Sequence, residues 1–290
     1  MKALRVVCHQ LAPRIGDADY NRALTDSAIR SAANLNAQVI VLPELIQSGY
    51  AFVDRNEAYG VSETLDGPTL SLWKSLAREL GIIIVAGFCE RLNAGQVANS
   101  AALVEPTGRL TVYRKAHLWD REKLIFTPGD APPPVVDTAV GRIAVMICYD
   151  LELPEWVRLP ALAGADLLCA PVNWPDGPRP AGERPAEIVR VQANAAVNRM
   201  FIAACDRHGE ERGVNWVGGS VIVDADGYPL AGATSRPEEQ QLVADLPLAQ
   251  ARDKSISGHN HVHQDRRPAL YEHQNSMRTS PFGTLQHDRM

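Results

Sequence analysis

Short, nearly unbroken apolar runs alternating with helical patterns constrain this chain more than any other feature. Gln38–Leu42, Ile82–Phe88, Ile143–Ile147, Asp166–Ala170 and Phe201–Cys205 each read as a strand with no polar face. A strand of that kind needs cover on both sides, as in a sheet packed between other layers. Helical spacing lies between the runs, over Asp19–Leu35, Pro68–Leu80, Glu155–Ala163 and Ala186–Asn198. Gly81 is placed to cap the second of these helices. Pro106-Thr107-Gly108 and Ala225-Asp226-Gly227 turn two hairpins, Ala98–Glu105 with Arg109–Tyr113 and Ser220–Asp224 with Tyr228–Ala233. Leu4–Leu11 is a first strand and Gln241–Leu246 a last one.

The two halves also resemble each other. Asn36-Ala37-Gln38-Val39-Ile40-Val41-Leu42-Pro43 parallels Gly164-Ala165-Asp166-Leu167-Leu168-Cys169-Ala170-Pro171, and each is followed by a helix, a buried strand and a glycine-turned hairpin. This predicts an α/β sandwich of two sheets with helices outside, each sheet supplied by one half. No composition break marks a linker, so residues 1–272 read as one domain and 273–290 as a tail.

Composition removes several classes of function. A net charge of −5 and the lack of a basic stripe leave no footprint for nucleic acid. No apolar run approaches the roughly 18 residues that span a bilayer. The first strand is broken by Arg5 and His9, unlike a secretory signal. The five cysteines are odd in number and widely spread, which fits reduced thiols in a cytoplasm rather than a disulfide framework. His259, His261 and His263 alternate in a polar stretch, but only Asp265 accompanies them, and no metal site is expected there.

Four residues interrupt the core pattern where chemistry could sit. Cys148 ends the run Ile143–Ile147 just before Pro154-Glu155 opens a helix, and a helix start with its backbone N–H groups favours a thiolate. Local features read it equally well as one more small core residue. Glu44 follows a buried strand and Pro43, where desolvation would raise its pKa and make it a base; a solvent-facing loop glutamate is the plainer reading. Lys115 follows the hairpin strand, either as an oxyanion partner or as a surface lysine. Glu122, seven residues on, is by itself an ordinary loop charge.

Taken together, the motifs resemble the nitrilase (carbon–nitrogen hydrolase) superfamily. They are Leu42-Pro43-Glu44, Tyr113-Arg114-Lys115-Ala116-His117-Leu118 and Ile147-Cys148-Tyr149-Asp150, supported by Ser48-Gly49-Tyr50, Asn99-Ser100, Phe126-Thr127-Pro128-Gly129 and Asp265-Arg266-Arg267-Pro268. The resemblance runs from about Leu4 to Tyr271. It implies a four-layer α-β-β-α sandwich and a Glu–Lys–Cys triad that needs no cofactor or metal. In that scheme Cys148 attacks an amide or nitrile carbon, Glu44 moves protons, Lys115 and the Tyr149 backbone N–H hold the oxyanion, and Glu122 positions the reacting group.

Cys148-Tyr149-Asp150 resembles the amidase-type branches, where nitrilases proper usually carry Cys-Trp-Glu. The expectation is an amidase releasing ammonia from a small linear carboxamide, aliphatic or an ω-amide. N-carbamoyl or nitrile hydrolysis with the same triad is the alternative, and a catalytically silent partner-binding protein is the reading from outside enzymes. Tyr50, Asn173 and Trp174 are expected at the substrate. Arg179 and Arg184 have the chemistry to hold a substrate carboxylate, but solvated loop charges are the plainer reading; Asp206-Arg207-His208-Gly209 and Glu211-Arg212-Gly213 form a second candidate rim. The family also implies a homodimer or larger homo-oligomer, through helix Glu155–Ala163 and the tail from about Arg252.

Overall fold

The computed structural model describes residues 3–93 and 95–271. The tail expected over 273–290 lies outside them. The chain divides into two compact units between Asp253 and Lys254. In the first unit the strands are β1 (Leu4–Gln10), β2 (Val39–Val41), β3 (Ile83–Arg91), β4 (Val97–Val104), β5 (Leu110–Arg114), β6 (Val135–Thr138), β7 (Gly141–Val145), β8 (Leu167–Pro171), β9 (Phe201–Cys205), β10 (Glu210–Glu211), β11 (Val214–Asn215), β12 (Val221–Val223), β13 (Pro229–Gly232) and β14 (Gln240–Leu246). Its main helices are α1 (Ala18–Asn34), α2 (Arg55–Val61), α3 (Pro68–Leu80), α4 (Glu122–Ile125), α5 (Pro154–Leu162) and α6 (Ala186–Asn198).

Two six-stranded sheets carry the fold, in the orders β14-β1-β2-β3-β4-β5 and β13-β12-β9-β8-β7-β6. Each has three parallel strands at its centre, β1, β2 and β3 in one and β7, β8 and β9 in the other. A hairpin partner and a second antiparallel strand follow on one side. The repeat seen by eye is therefore real, and β2 and β8 occupy equivalent positions. The expectation that each half supplies its own sheet needs one correction. β14, from the end of the unit, pairs antiparallel with β1 from Leu4↔Leu246 to Gln10↔Gln240. It fills the place that β6 takes beside β7, which covers an edge that would otherwise expose unpaired backbone groups.

Strand alternation sorts the apolar side chains into layers. Val6, Cys8, Val39, Val41, Ile83 and Val85 join a core that also contains Ile143, Leu167, Cys169, Phe201 and Ala203 from the other sheet. The intervening Val7, Ile40 and Ile84 pack instead with Ile29 of α1 and Leu70, Trp73 and Leu76 of α3. On the far side Val157 of α5 and Ile188, Val191 and Ala195 of α6 cover the second sheet. Helix, sheet, sheet and helix give the four layers. Each fully buried Ile, Leu or Phe contributes about 1.5–3 kcal/mol. Local signals agree with the packing. Asp17 caps α1 by accepting from the Tyr20 N–H at 3.1 Å, and Gly81 ends α3 at φ 67°, a conformation open to glycine at little cost.

In the second unit a short antiparallel ribbon joins Ser255–Ser257 to Asn260–His261. The His261 Nδ1 accepts from the backbone N–H groups of His263 and Gln264. Among the described residues no group of histidine, cysteine and acidic side chains is arranged to hold a metal, and no helix is long and apolar enough to cross a membrane.

Candidate active site

The loops leaving the C-terminal ends of β2, β5, β7 and β8 meet, where parallel α/β sheets commonly bind ligands. The two equivalent loops after β2 and β8 touch directly. The Glu44 N–H points to the Val172 carbonyl at 3.4 Å, and the Asn173 side-chain amide donates to the Glu44 carbonyl at 2.9 Å. Gly87 of β3 makes the approach possible. A Cβ there would lie 2.3 Å from the Leu45 backbone nitrogen and 2.6 Å from the Glu44 Cα, so any side chain would push the Glu44 loop away. A glycine inside a strand is a known sign of such close approach.

Lys115 sits between two carboxylates and is wholly buried. Its ammonium donates to Glu44 Oε1 at 2.7 Å, and both Glu122 oxygens lie 2.8 Å away. Asn99 repeats the bridge, donating to Glu44 Oε1 at 2.7 Å and to Glu122 Oε1 at 3.1 Å. The Trp119 N–H fixes Glu122 Oε2 at 2.8 Å. Glu44 Oε2 is buried without a protein partner. It is therefore free to exchange a proton.

Charge balance follows from this geometry. One ammonium can compensate one carboxylate in a dry site, so the second must take a proton near neutrality or stay costly. Burial pushes the Glu44 carboxyl up to about 7; Lys115 pulls it down and the Glu122 charge adds to the rise. Burial alone would lower the Lys115 ammonium, but Glu122 and Glu44 outweigh it and hold it well above its ordinary value. The group titrates as a coupled set.

Cys148 opens a 3₁₀ turn, Cys148–Glu152, between β7 and α5. Its backbone is left-handed at φ 45°, which costs a residue with a Cβ about 1–2 kcal/mol. Asp150 holds this elbow. Its carboxylate accepts from the Tyr113 hydroxyl at 2.7 Å, the His117 N–H at 3.1 Å and the Ile147 N–H at 3.3 Å, and it pairs with His117 Nδ1 at 2.8 Å. That hydrogen bond raises the His117 pKa above its ordinary value, so His117 braces the elbow beside Lys115.

The elbow does not leave Cys148 as a resting thiolate. Burial, and then the Glu44 charge, push the thiol well above its ordinary value against the pull of Lys115. The S–H points to the Asn173 carbonyl at 3.6 Å. Desolvation at a residue only 7 % exposed outweighs the short turn's N–H groups.

A cavity of about 450 Å³ opens beside this cluster, walled by Tyr50, Phe52, Trp119, Phe126 and Trp216, with Glu122 of the cluster in its lining. Burial raises the Tyr50 hydroxyl well above its ordinary value, and the nearby charges of Glu122, Glu44 and Cys148 raise it further. Tyr50 thus stands between the cavity and the reactive groups. Glu211 holds the Tyr50 loop by accepting from the N–H groups of Tyr50 at 2.8 Å and Ala51 at 2.7 Å. Its other oxygen binds the buried Arg207 at 2.9 Å.

Of the expected substrate contacts, Asn173 adjoins Cys148 and keeps its Oδ1 without a protein partner. Tyr149 packs its ring on Trp119, centroids 5.0 Å apart. Trp174 lies in the core cluster, its backbone N–H donating to Asp206; the indoles on the cavity wall are Trp119 and Trp216. Arg179 pairs with Asp176 and Arg184 with Gln192, and neither lines the cavity. Asn99, Asp150, Gly87 and Trp216 had no role assigned from sequence. Asn99 stood within a family motif, and the strand glycine was the one physical signal pointing to Gly87.

Comparisons with known proteins agree with this architecture. The carbon–nitrogen hydrolase family model matches residues 5–254. A nitrilase of Pyrococcus abyssi is 36% identical over 271 residues, covering 92% of this chain and 99% of that protein. An (R)-stereoselective amidase of Pseudomonas sp is 35% identical over 250 residues, covering 86% and 87%. The crystal structure of an amidase from Nesterenkonia sp. superposes with a TM-score of 0.80 at 30% identity, over 94% of this chain and 97% of that one. With two helix-covered sheets and a buried Glu–Lys–Glu–Cys cluster where their loops meet, this chain is a carbon–nitrogen hydrolase and belongs to the nitrilase superfamily.

Proposed function

We propose that the protein is an amidase, hydrolysing an acyclic carboxamide to a carboxylate and ammonia through an acyl-thioester on Cys148. The observation that carries this reading is the buried Glu44–Lys115–Glu122 cluster beside the Cys148 thiol, with Glu44 Oε2 unengaged and the ammonium already fixed; burial holds the Glu44 carboxyl at about 7. A base poised near neutrality can take a proton in one step and return it in the next.

As substrate enters, the Cys148 S–H proton passes to Glu44 and sulfur bonds to the carbonyl carbon. The oxygen becomes an oxyanion, stabilised by Lys115 and the Tyr149 backbone N–H. Collapse breaks the C–N bond, and Glu44 gives its proton to the departing nitrogen, which leaves as ammonia. Water then attacks the thioester and loses a proton to Glu44. The thioester bond breaks, the acid departs, and Glu44 returns the proton to sulfur. Glu122 and Asn99 keep Lys115 and Glu44 aligned throughout. Alignment of this kind accounts for much of an enzyme's advantage over solution.

The test is ammonia release from matched carboxamides, N-carbamoyl amines and nitriles. Carboxamides are expected to give the highest kcat/KM, with an acyl adduct on Cys148 visible by intact mass. A clear preference for nitriles or carbamoyl compounds would overturn the amidase reading while leaving the triad in place.

The reaction also has a pH signature. Glu44 must be ionised to accept the thiol proton, and burial holds it near 7. The logarithm of kcat/KM should therefore rise with pH up to about 7 and then level. A profile flat from pH 5 to 8 would remove Glu44 as the base.

A further inference from the structure

The cavity beside the cluster is more specific than the chemistry requires. Five aromatic rings share its lining with Ile125, Pro175 and Val214: Tyr50 and Trp216 meet edge to face with centroids 5.2 Å apart, Phe52 and Phe126 do the same at 6.2 Å, and Trp119 is the fifth. Such walls favour a flat, apolar ring by stacked and edge contacts. A volume of about 450 Å³ lies in the range of pockets that enclose a small organic ligand, more than a two- or three-carbon acyl chain fills.

Two of the charges on the same walls, Glu122 and Arg212, are already committed. Arg212 is held by both Glu57 oxygens at 2.6 and 2.8 Å and by the Ala51 carbonyl at 3.0 Å. Lys115 engages Glu122. Asp120 and Arg121, also in the lining, are exposed neighbours of opposite sign. Arg121 is exposed and donates to the Val53 carbonyl at 3.0 Å, so among the described lining residues a substrate carboxylate would find no buried, unpaired cation. A substrate cation would meet Arg212 on the wall and, in Glu122, a carboxylate already neutralised by Lys115; one face of Trp216 is also covered by the Arg207 guanidinium at 4.8 Å, which removes a surface for cation–π binding.

Resting on the amidase reading, we infer that the preferred substrates are neutral carboxamides whose acyl group ends in an aryl ring, rather than short aliphatic amides or ω-amides of dicarboxylic acids. The carbonyl carbon sits at Cys148 and the ring extends past Tyr50 between Phe52, Phe126, Trp119 and Trp216.

Two measurements decide it. In wild-type enzyme, kcat/KM is compared for phenylacetamide, 3-phenylpropionamide, propionamide, 4-carbamoylbutanoate and 4-aminobutanamide. Both aryl amides should exceed propionamide by at least about tenfold, the scale at which hydrophobic pockets discriminate, and the two charged amides should fall below it. Binding is then measured without chemistry, by tryptophan fluorescence on Cys148→Ala. The Kd for phenylacetamide is expected at least about tenfold below that for propionamide. A Trp216→Ala change should shrink the aryl preference in both assays. Equal or better use and binding of propionamide, or a preference for either charged amide, would overturn the inference. Selective binding of phenylacetamide with no ammonia from any amide would support the pocket and defeat the amidase reading instead.

Discussion

Cys148→Ala should abolish ammonia release, lowering kcat by roughly 10⁴-fold or more, the scale seen when a catalytic nucleophile is removed, while the protein remains folded. Sulfur contributes one long hydrogen bond to the Asn173 carbonyl and little buried area, so stability should change by about 1 kcal/mol or less. The elbow is held elsewhere, by Asp150 with Tyr113 and His117, and alanine can occupy the same backbone conformation. Ammonia production and a urea melt on the same preparation settle the point. Turnover of any amide at the wild-type rate would rule out the thioester route. A collapsed melt would show that the sulfur is structural.

Layering was legible in the sequence, because unbroken apolar runs leave few alternatives to a sheet buried on both faces. The ends of most elements agree within a residue or two, as at Pro68–Leu80, Ala186–Asn198 and Phe201–Cys205. Two features were hidden for identifiable reasons. The partner of β1 depends on which late strand reaches its edge, and pairing across more than two hundred residues leaves no local trace. The short strand Val135–Thr138 follows a proline-rich stretch and carries little apolar signal.

The site was legible in a different way. Arg114 and Lys115 are adjacent basic residues, and composition gives no reason to bury one of them. Register decides it. Arg114 pairs with Ser100 in the β4–β5 ladder, and Ser100 and Arg114 both reach Glu90, with Arg114 partly exposed. One residue later the side chain turns to the opposite face, where the Lys115 N–H bonds to the Asn99 carbonyl and its ammonium meets the two glutamates. Only the family motif singled out Lys115 over its neighbour. Motifs reached the cavity walls only in part, at Tyr50 and Phe126. Trp216 follows the small β10–β11 ribbon, outside every motif quoted, whereas Trp174 attracted notice through its place after Asn173.

The state of the thiol illustrates the same limit. A cysteine at a strand–helix junction suggests an anion. Burial, and then the neighbouring Glu44 charge, are larger effects than one turn of N–H groups, and they push the thiol above its ordinary value.

Lys115→Met should fail in both function and stability. Methionine matches the length of the aliphatic stem and fits an apolar site, so packing loss is small and the effect isolates the charge. Glu44 and Glu122 then face each other in a dry cluster with Asn99 as their remaining shared donor. Removing one partner from a buried ionic group typically costs about 3–5 kcal/mol. Part of this cost depends on pH. Glu44 has a folded pKa near 7 against an ordinary value of 4.5, and Lys115 acts to lower it; without Lys115 it rises further. Below about 7 the Glu44 carboxyl is protonated in both folded proteins, so this part of the difference is absent. Above that, wild type ionises beside an ammonium while the variant must hold its proton or bury a bare charge, and the deficit grows. Urea unfolding at pH 6 and pH 8.5 should show the variant less stable at both, by a wider margin at the higher pH. Activity should be lost throughout, because the oxyanion has no cation and Glu44 no longer ionises near neutrality. Stability equal to wild type, or a deficit that narrows as pH rises, would mean that Lys115 does not carry the charge balance of the site.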